Sequence, residues 1–327
     1  MDMVEELEKR KELIEQEIEE LFKDKRDHNL WELMAFYPGS GGKKLRPFLT
    51  LVSAAAFDRS EKKAIPYGLA LELVHNFTLV HDDIMDQDDL RRGKPTLYRR
   101  VGDAHAINAG DGLFALAFNV LSKSDIGGDK VKELLEELSS SVLKIAEGQE
   151  EDLSFEEDLD IDEADFIEMI EKKTAYLFKA SARGGAIIAG CDQEEIDHMG
   201  EYARKMGIAF QIQDDYLDLV GDEGKIGKDV GSDIQEGKRT LMVIKALENL
   251  SSDDSERLIE ILEDDGNTDP EIEEAIDLLE DSGAIEYSKE LAKKYAEEAK
   301  DELSIVPDSE YKVILEELVD YVIKRDR

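Results

Sequence analysis

Apolar residues recur at helical spacing along almost the whole chain, and no other feature constrains the fold as much. Val4, Leu7, Ile14, Ile18 and Leu21 form one stripe of a predicted helix over Met3–Phe22. The same spacing predicts helices over Leu45–Phe57, Lys63–Asp86, Val101–Leu121, Asp129–Gln149, Asp162–Ala189 and Glu194–Val220. Shorter acidic helices are expected over Leu241–Leu250, Glu256–Leu262, Pro270–Leu279, Ile285–Leu303 and Glu310–Lys324. There are six prolines, and Pro38, Pro47 and Pro66 all fall early, so long stretches carry no helix breaker. Tyr37–Lys43 reads as a turn rich in Gly39, Gly41 and Gly42. Arg91–Thr96, Gly127–Gly128 and Ser251–Asp254 read as loops, and three glycines break the pattern over Gly221–Lys228. No alternating strand run, repeat or clear linker is visible, so the expectation is an all-α chain folding as a single domain over residues 1–327.

Charge narrows the choice of partner. The 80 acidic and 41 basic residues leave a net charge of −39. Such a surface repels nucleic acid and anionic lipid. It also suits concentrated salt, where screening relieves self-repulsion, and is read as adaptation to a salty cytoplasm. Cys191 is the only cysteine, which excludes an intrachain disulfide and agrees with a reducing cytosol. The N-terminus is charged and amphipathic without the apolar core of a signal peptide, and the most apolar stretch, Gly112–Val120, is too short to span a bilayer. A soluble, cytoplasmic protein is expected.

The chemistry concentrates in HDDIMDQDDLRRGKPT, His81–Thr96. Asp82 and Asp86 are four residues apart and share a helix face, and Asp83 and Asp86 are three apart. Like charges at this spacing destabilise a bare helix by about 0.2–0.5 kcal/mol per pair. A cation relieves that repulsion, and carboxylates with positions left for water and phosphate oxygens suit Mg²⁺. The competing reading is a solvated acidic face, since acidic pairs also occur at Asp253–Asp254 and Asp264–Asp265. A second cluster weighs against it. FQIQDDYLD repeats the spacing with Asp214, Asp215 and Asp218 in an apolar setting, where carboxylates need a partner. Two such clusters on two core helices predict a facing pair of carboxylate patches that clamps a multi-metal diphosphate site. Basic residues flank both. Lys43, Lys44 and Arg46 follow the glycine turn, Arg91, Arg92 and Lys94 follow the first cluster, Lys172 and Lys173 precede Thr174, and Lys228 and Lys238 follow the second cluster. Singly, each reads as a surface counter-charge; as an ordered set they match a polyanionic phosphate.

These segments resemble the trans-isoprenyl diphosphate synthase family, which includes farnesyl and geranylgeranyl diphosphate synthases. GGKKLRP, DDIMDQDDLRRG, GQEEDL (Gly148–Leu153), the Lys173–Thr174 pair, FQIQDDYLD and GKRT (Gly237–Thr240) occur in the family's order between about residues 40 and 240. The resemblance implies one large bundle of about ten or more helices around a central cavity, the isoprenoid synthase fold. It implies that Asp82, Asp83, Asp86, Asp214 and Asp215, with Asp218 as an outer member, hold three Mg²⁺ on an allylic diphosphate. Arg91, Lys173, Lys228 and Lys238 would grip that diphosphate. Lys43, Arg46, His75 and Arg92 would bind isopentenyl diphosphate, and Thr174 and Gln211 would line the reacting carbons. On its own His75 reads as a core histidine; its place seven residues before Asp82 promotes it.

Product length in this family follows what blocks the tunnel below the first aspartate cluster. Phe77 and Thr78 stand five and four residues before Asp82, bulky then small, and point toward the helix N-terminus. With the two-residue gap in DDIMD, this resembles the archaeal pattern for a C20 product, with farnesyl diphosphate as the alternative; Leu73 and Val74 also bear on the floor. A terpene cyclase or squalene-type synthase, and a non-catalytic partner subunit, are the other classes. GGKKLRP and the second cluster weigh against the cyclase, and the intact motifs against the silent subunit. The resemblance also implies a homodimer.

Overall fold

The computed structural model describes residues 2–25, 28–57, 61–155, 160–220, 231–264 and 266–324. In chain order the elements are α1 (Met3–Phe22), α2 (Asn29–Met34), α3 (Leu45–Ala56), α4 (Ile65–Met85), β1 (Leu90–Arg91), β2 (Lys94–Pro95), α5 (Leu97–Val101), α6 (Asp103–Ser122) and α7 (Gly128–Phe155). There follow α8 (Glu163–Ile170), α9 (Tyr176–Ala189), α10 (Gln193–Val220), α11 (Ser232–Gln235), α12 (Leu241–Asn249), α13 (Ser252–Leu262), α14 (Asp269–Asp281), α15 (Ala284–Glu302) and α16 (Glu310–Lys324). Among the described residues the chain is all-α but for one antiparallel pair, Leu90 opposite Pro95 and Arg91 opposite Lys94.

That pair corrects the reading of Arg91–Thr96 as plain loop; two residues per strand are too few to alternate visibly. Ser251–Asp254 is likewise not a loop. Ser251 caps α13, its hydroxyl accepting the Asp254 N–H at 3.3 Å, and Asp253 and Asp254 lie in the first turn, where the helix dipole favours acid. The helix expected over Asp162–Ala189 is interrupted by a π-helical turn at Glu171–Ala175. The one expected over Val101–Leu121 breaks at Gly102, which separates α5 from α6 with φ 82°.

The chain divides into two compact units. The first comprises residues 1–143, 177–203 and 300–318. Its core includes Phe22, Phe48, Leu49, Leu71, Leu73, Leu113, Phe178 and Tyr202, all fully buried. In it α4 lies along α6, and the approach is close because Gly110 carries no side chain: a Cβ there would sit 2.4 Å from His81 Nε2. The second unit comprises residues 144–176, 204–299 and 319–327. There α12 is buried on two faces. Leu241 and Ile244 join Phe166, Ile170, Ile208 and Ile212, while Met242, Val243 and Ala246 join Leu219, Leu258, Ile261 and Leu279. Burial at about 25 cal/mol per Å² of apolar surface makes these clusters the main stabilising contribution.

Candidate active site

In the first unit the C-terminal turn of α4 carries the first aspartate cluster. The Asp86 N–H donates to the Asp82 carbonyl at 2.8 Å, so the two residues stack one turn apart, both half-buried. Asp83 points the other way and is 1% exposed. One of its carboxylate oxygens accepts Arg91 Nε and the other accepts the Tyr37 hydroxyl. Burial raises the Asp83 carboxyl above its usual range, against the pull of Arg91 and Tyr37. The hairpin that carries Arg91 is tied back to α4: the Asp88 N–H donates to the Asp83 carbonyl at 3.0 Å, and the Thr96 hydroxyl to the Asp88 carbonyl at 2.8 Å.

The glycine turn meets this hairpin. Arg92, itself left-handed at φ 54°, donates to the Gly41 carbonyl at 3.1 Å. Gly42 has φ 102°, and a Cβ on it would lie 2.8 Å from the Arg92 guanidinium, so both conformation and space demand glycine. Non-glycine residues at positive φ, Lys44, Gln87 and Arg92, all lie in these two loops, a strain that accompanies functional sites. Lys44 is spent on structure. Its ammonium donates to the carbonyls of Pro38 at 3.1 Å and Gly41 at 2.9 Å and pairs with buried Glu72 at 2.9 Å. Lys43 and Arg46 flank it, half-buried, Arg46 standing 4.6 Å over the Phe178 ring.

His75 lies among these cations. Its imidazole is pushed well below its ordinary value, first by burial and then by Arg46, Arg92, Lys44 and Arg91, so it is neutral near pH 7. Phe77 packs against His81 at 4.7 Å and against Phe114 of α6 at 5.2 Å between ring centroids, and the Thr78 hydroxyl donates to the His75 carbonyl at 2.8 Å.

The second unit holds the other predicted residues. The Thr174 hydroxyl, on the π-helical turn, donates to Gln211 Oε1 at 2.8 Å, and Gln211 Nε2 donates to Asp215 at 2.8 Å. Such turns recur at functional sites because they re-aim one side chain out of register. Asp215 is raised well above the usual carboxylate range by burial, then by the neighbouring charges of Asp233 and Asp214, with Gln211 and Lys238 opposing. Lys173 pairs with Asp152, and Lys238 with Glu236 and, at 3.7 Å, Asp233. Lys173, Thr174, Gln211, Asp215 and Lys238 line one pocket with Asp152, Asp233 and Arg239. Asp218 faces α11, its carboxylate accepting the Ser232 hydroxyl at 2.5 Å and the Asp233 N–H at 3.0 Å. Lys228 lies outside the described residues.

Tyr37 and Asp233 touch the candidate residues without having been singled out in the sequence, and Asp152 lies in the GQEEDL motif without a role assigned to it there. GSDIQ, just after the glycine-rich break, was the available signal for Asp233; a lone tyrosine before a turn offered none for Tyr37. Among the described residues no three carboxylate, imidazole or thiol groups converge on one metal position. The donor set nonetheless fits a hard divalent cation: Asp215 is destabilised by its acidic neighbours, and a cation would relieve it.

Comparison with known proteins agrees with this chemistry. The family model for polyprenyl synthetases matches residues 27–279. The short chain isoprenyl diphosphate synthase of Methanothermobacter thermautotrophicus is 42% identical over 327 residues, covering 100% of this chain and 99% of its own. The geranylgeranyl pyrophosphate synthase of Geoglobus acetivorans is 43% identical over 97% of each chain. The crystal structure of geranylgeranyl pyrophosphate synthetase from Pyrococcus horikoshii superposes with a TM-score of 0.92 at 41% identity, covering 99% of this chain and 98% of that one. These matches place the chain in the polyprenyl synthetase family of prenyltransferases.

Proposed function

We propose that the protein condenses isopentenyl diphosphate with dimethylallyl, geranyl and farnesyl diphosphates and releases mainly geranylgeranyl diphosphate. The observation that carries this reading is the group of cations, Arg46, Arg92, Lys44 and Arg91, whose charges act together on His75 at the glycine turn, the start of α3 and the hairpin. Lys44 is matched by Glu72 and Arg91 by Asp83, and cations gathered this closely in a chain of net charge −39 suit a polyanion. Lys43, Arg46, His75 and Arg92 take the isopentenyl diphosphate, a site a terpene cyclase does not need. Arg91, Lys173, Lys228 and Lys238 take the allylic diphosphate, and Thr174 and Gln211 line its reacting carbons.

Mg²⁺, held by Asp82, Asp86, Asp214, Asp215 and the additional carboxylate Asp233, would neutralise charge on the departing diphosphate. Asp83 and Asp218 serve this group from behind, since both carboxylates are bound to protein donors. The chain's own cations bind and orient both diphosphates, and apolar walls exclude water from the reactive carbons. Phe77, seated against Phe114, stops elongation at C20; the names of the two geranylgeranyl synthases compared above support this length. Residues 1–327 act as one catalytic domain, working as a homodimer in a salty cytoplasm; sedimentation in high salt should return twice the chain mass. No helix among the described residues is long and apolar enough to cross a membrane.

The test incubates the purified protein with isopentenyl diphosphate, Mg²⁺ and each of the C5, C10 and C15 allylic diphosphates in high salt, with products read by mass spectrometry. A C20 product from every primer is expected. C15 or C25 products would overturn the Phe77 assignment, and no condensation by folded protein would overturn the synthase reading.

A further inference from the structure

Tyr37 opens the glycine turn and is 5% exposed. Its ring packs on Phe36 at 5.0 Å between centroids. Its hydroxyl does two things at once. It donates to the Asp83 carboxylate, and it accepts the Leu97 N–H at 3.1 Å. One atom therefore ties three segments: the turn that leads into Lys43 and Arg46, the end of α4, and the start of α5 just past the hairpin. The other Asp83 oxygen seats Arg91 through Nε, and Arg91 reaches Asp88 at 3.4 Å. The far end of the same turn is fixed separately, through Lys44 on Glu72 and Arg92 on Gly41.

We propose that Tyr37 is a positioning residue: through Asp83 it fixes Arg91 for the allylic diphosphate, and it holds the glycine turn that presents Lys43 and Arg46 in register with it. A phenylalanine fills the same space but leaves a buried carboxylate oxygen and a buried N–H without their partner. Asp83 then turns to share Arg91 more fully or to recruit water, and the guanidinium leaves its seat. This role rests on the assignment of Arg91 to diphosphate, so its test includes a readout independent of turnover.

The experiment is a double-mutant cycle on Y37F, R91A and Y37F/R91A, with inorganic diphosphate binding measured by calorimetry beside steady-state kinetics. Y37F is expected to weaken diphosphate binding and raise the allylic KM roughly tenfold, the loss typical of a hydrogen bond to a charged group. In the R91A background the same change should cost less than about threefold, because the group being positioned is gone. Additive losses in the two backgrounds, or unchanged binding in Y37F, would overturn the proposal. If Y37F does not fold, Y37F/D83N is compared with D83N: with the Asp83 charge already gone, losing the hydroxyl should change diphosphate binding by less than about threefold, and a tenfold loss would overturn the proposal. Wild-type protein that binds diphosphate but condenses nothing would sink the synthase reading, while the binding cycle still decides the role of Tyr37.

Discussion

The charged groups of the two units are balanced in opposite ways. In the first unit the protein supplies its own counter-charges: Asp83 is matched by Arg91, and Glu72 by Lys44. In the second unit Lys173 matches Asp152 and Lys238 lies 3.7 Å from Asp233, yet Asp215 still stands against the charges of Asp233 and Asp214. The first unit holds its cations in place before any ligand arrives, which cuts the ordering cost of binding. The second leaves Asp215 raised by burial and by its acidic neighbours, with Gln211 and Lys238 opposing, an electrostatic debt that a bound cation would reduce.

This contrast can be broken most directly at the carboxylates offered to metal. D82A, and separately D214A, should lower kcat/KM by at least about 10²–10³, the scale of losing one fixed charge-stabilising group. Loss in only one of the two variants would mean that the two clusters do not serve the same reaction. Next in size is K44M. It leaves Glu72 buried with its charge uncompensated, a change that costs about 3–5 kcal/mol in comparable buried pairs. Denaturant unfolding should register that loss, and K44M/E72Q should recover most of it. A K44M protein of normal stability but poor isopentenyl diphosphate binding would show that Lys44 serves ligand rather than loop.

Such assignments divide what the sequence could disclose from what it could not. The helical period and the two aspartate clusters were legible because both are local patterns with fixed spacing. Lys43 and Lys44 were not separable, since adjacent lysines look alike until Glu72, 28 residues from Lys44, is placed beside one of them. The same holds for Asp83 against Asp82: only the fold aims one at Tyr37 and Arg91 and leaves the other on the Asp86 side of the turn. The π-helical turn at Glu171–Ala175 keeps an ordinary helical composition, so nothing in it announced the shift in register that presents Thr174. Asp218 matches the spacing of a ligand, and only the fold shows its oxygens also accepting the Ser232 hydroxyl and the Asp233 N–H.

If the second unit is in debt without a cation, D215N should make it more stable in chelator, not less. The amide keeps the oxygen that accepts from Gln211 and removes the charge that Asp233 and Asp214 oppose. Melting in EDTA should rise by about 1–2 °C, the shift that 1 kcal/mol produces in a chain of this size. Added Mg²⁺ with inorganic diphosphate should then raise the melting temperature of the wild type more than that of D215N. An equal rise in both proteins would remove Asp215 from the metal site.

The smallest effect separates two hydroxyls that look equivalent on paper. Tyr37 donates to a carboxylate, Thr174 to an amide oxygen. Hydrogen bonds between neutral groups contribute about 0.5–1.5 kcal/mol, and those to charged groups about 1.5–3 kcal/mol. T174V keeps the shape of the side chain and should therefore cost only about 1 kcal/mol of stability, measured by denaturant unfolding. Its kinetic effect should be larger than its stability effect if Gln211, freed from Thr174, no longer presents its amide to Asp215. A T174V enzyme with unchanged kcat and KM would show that the Thr174–Gln211–Asp215 chain only packs the pocket. The second unit's function would then rest on its charges alone, which is the limit toward which the comparison with the first unit already points.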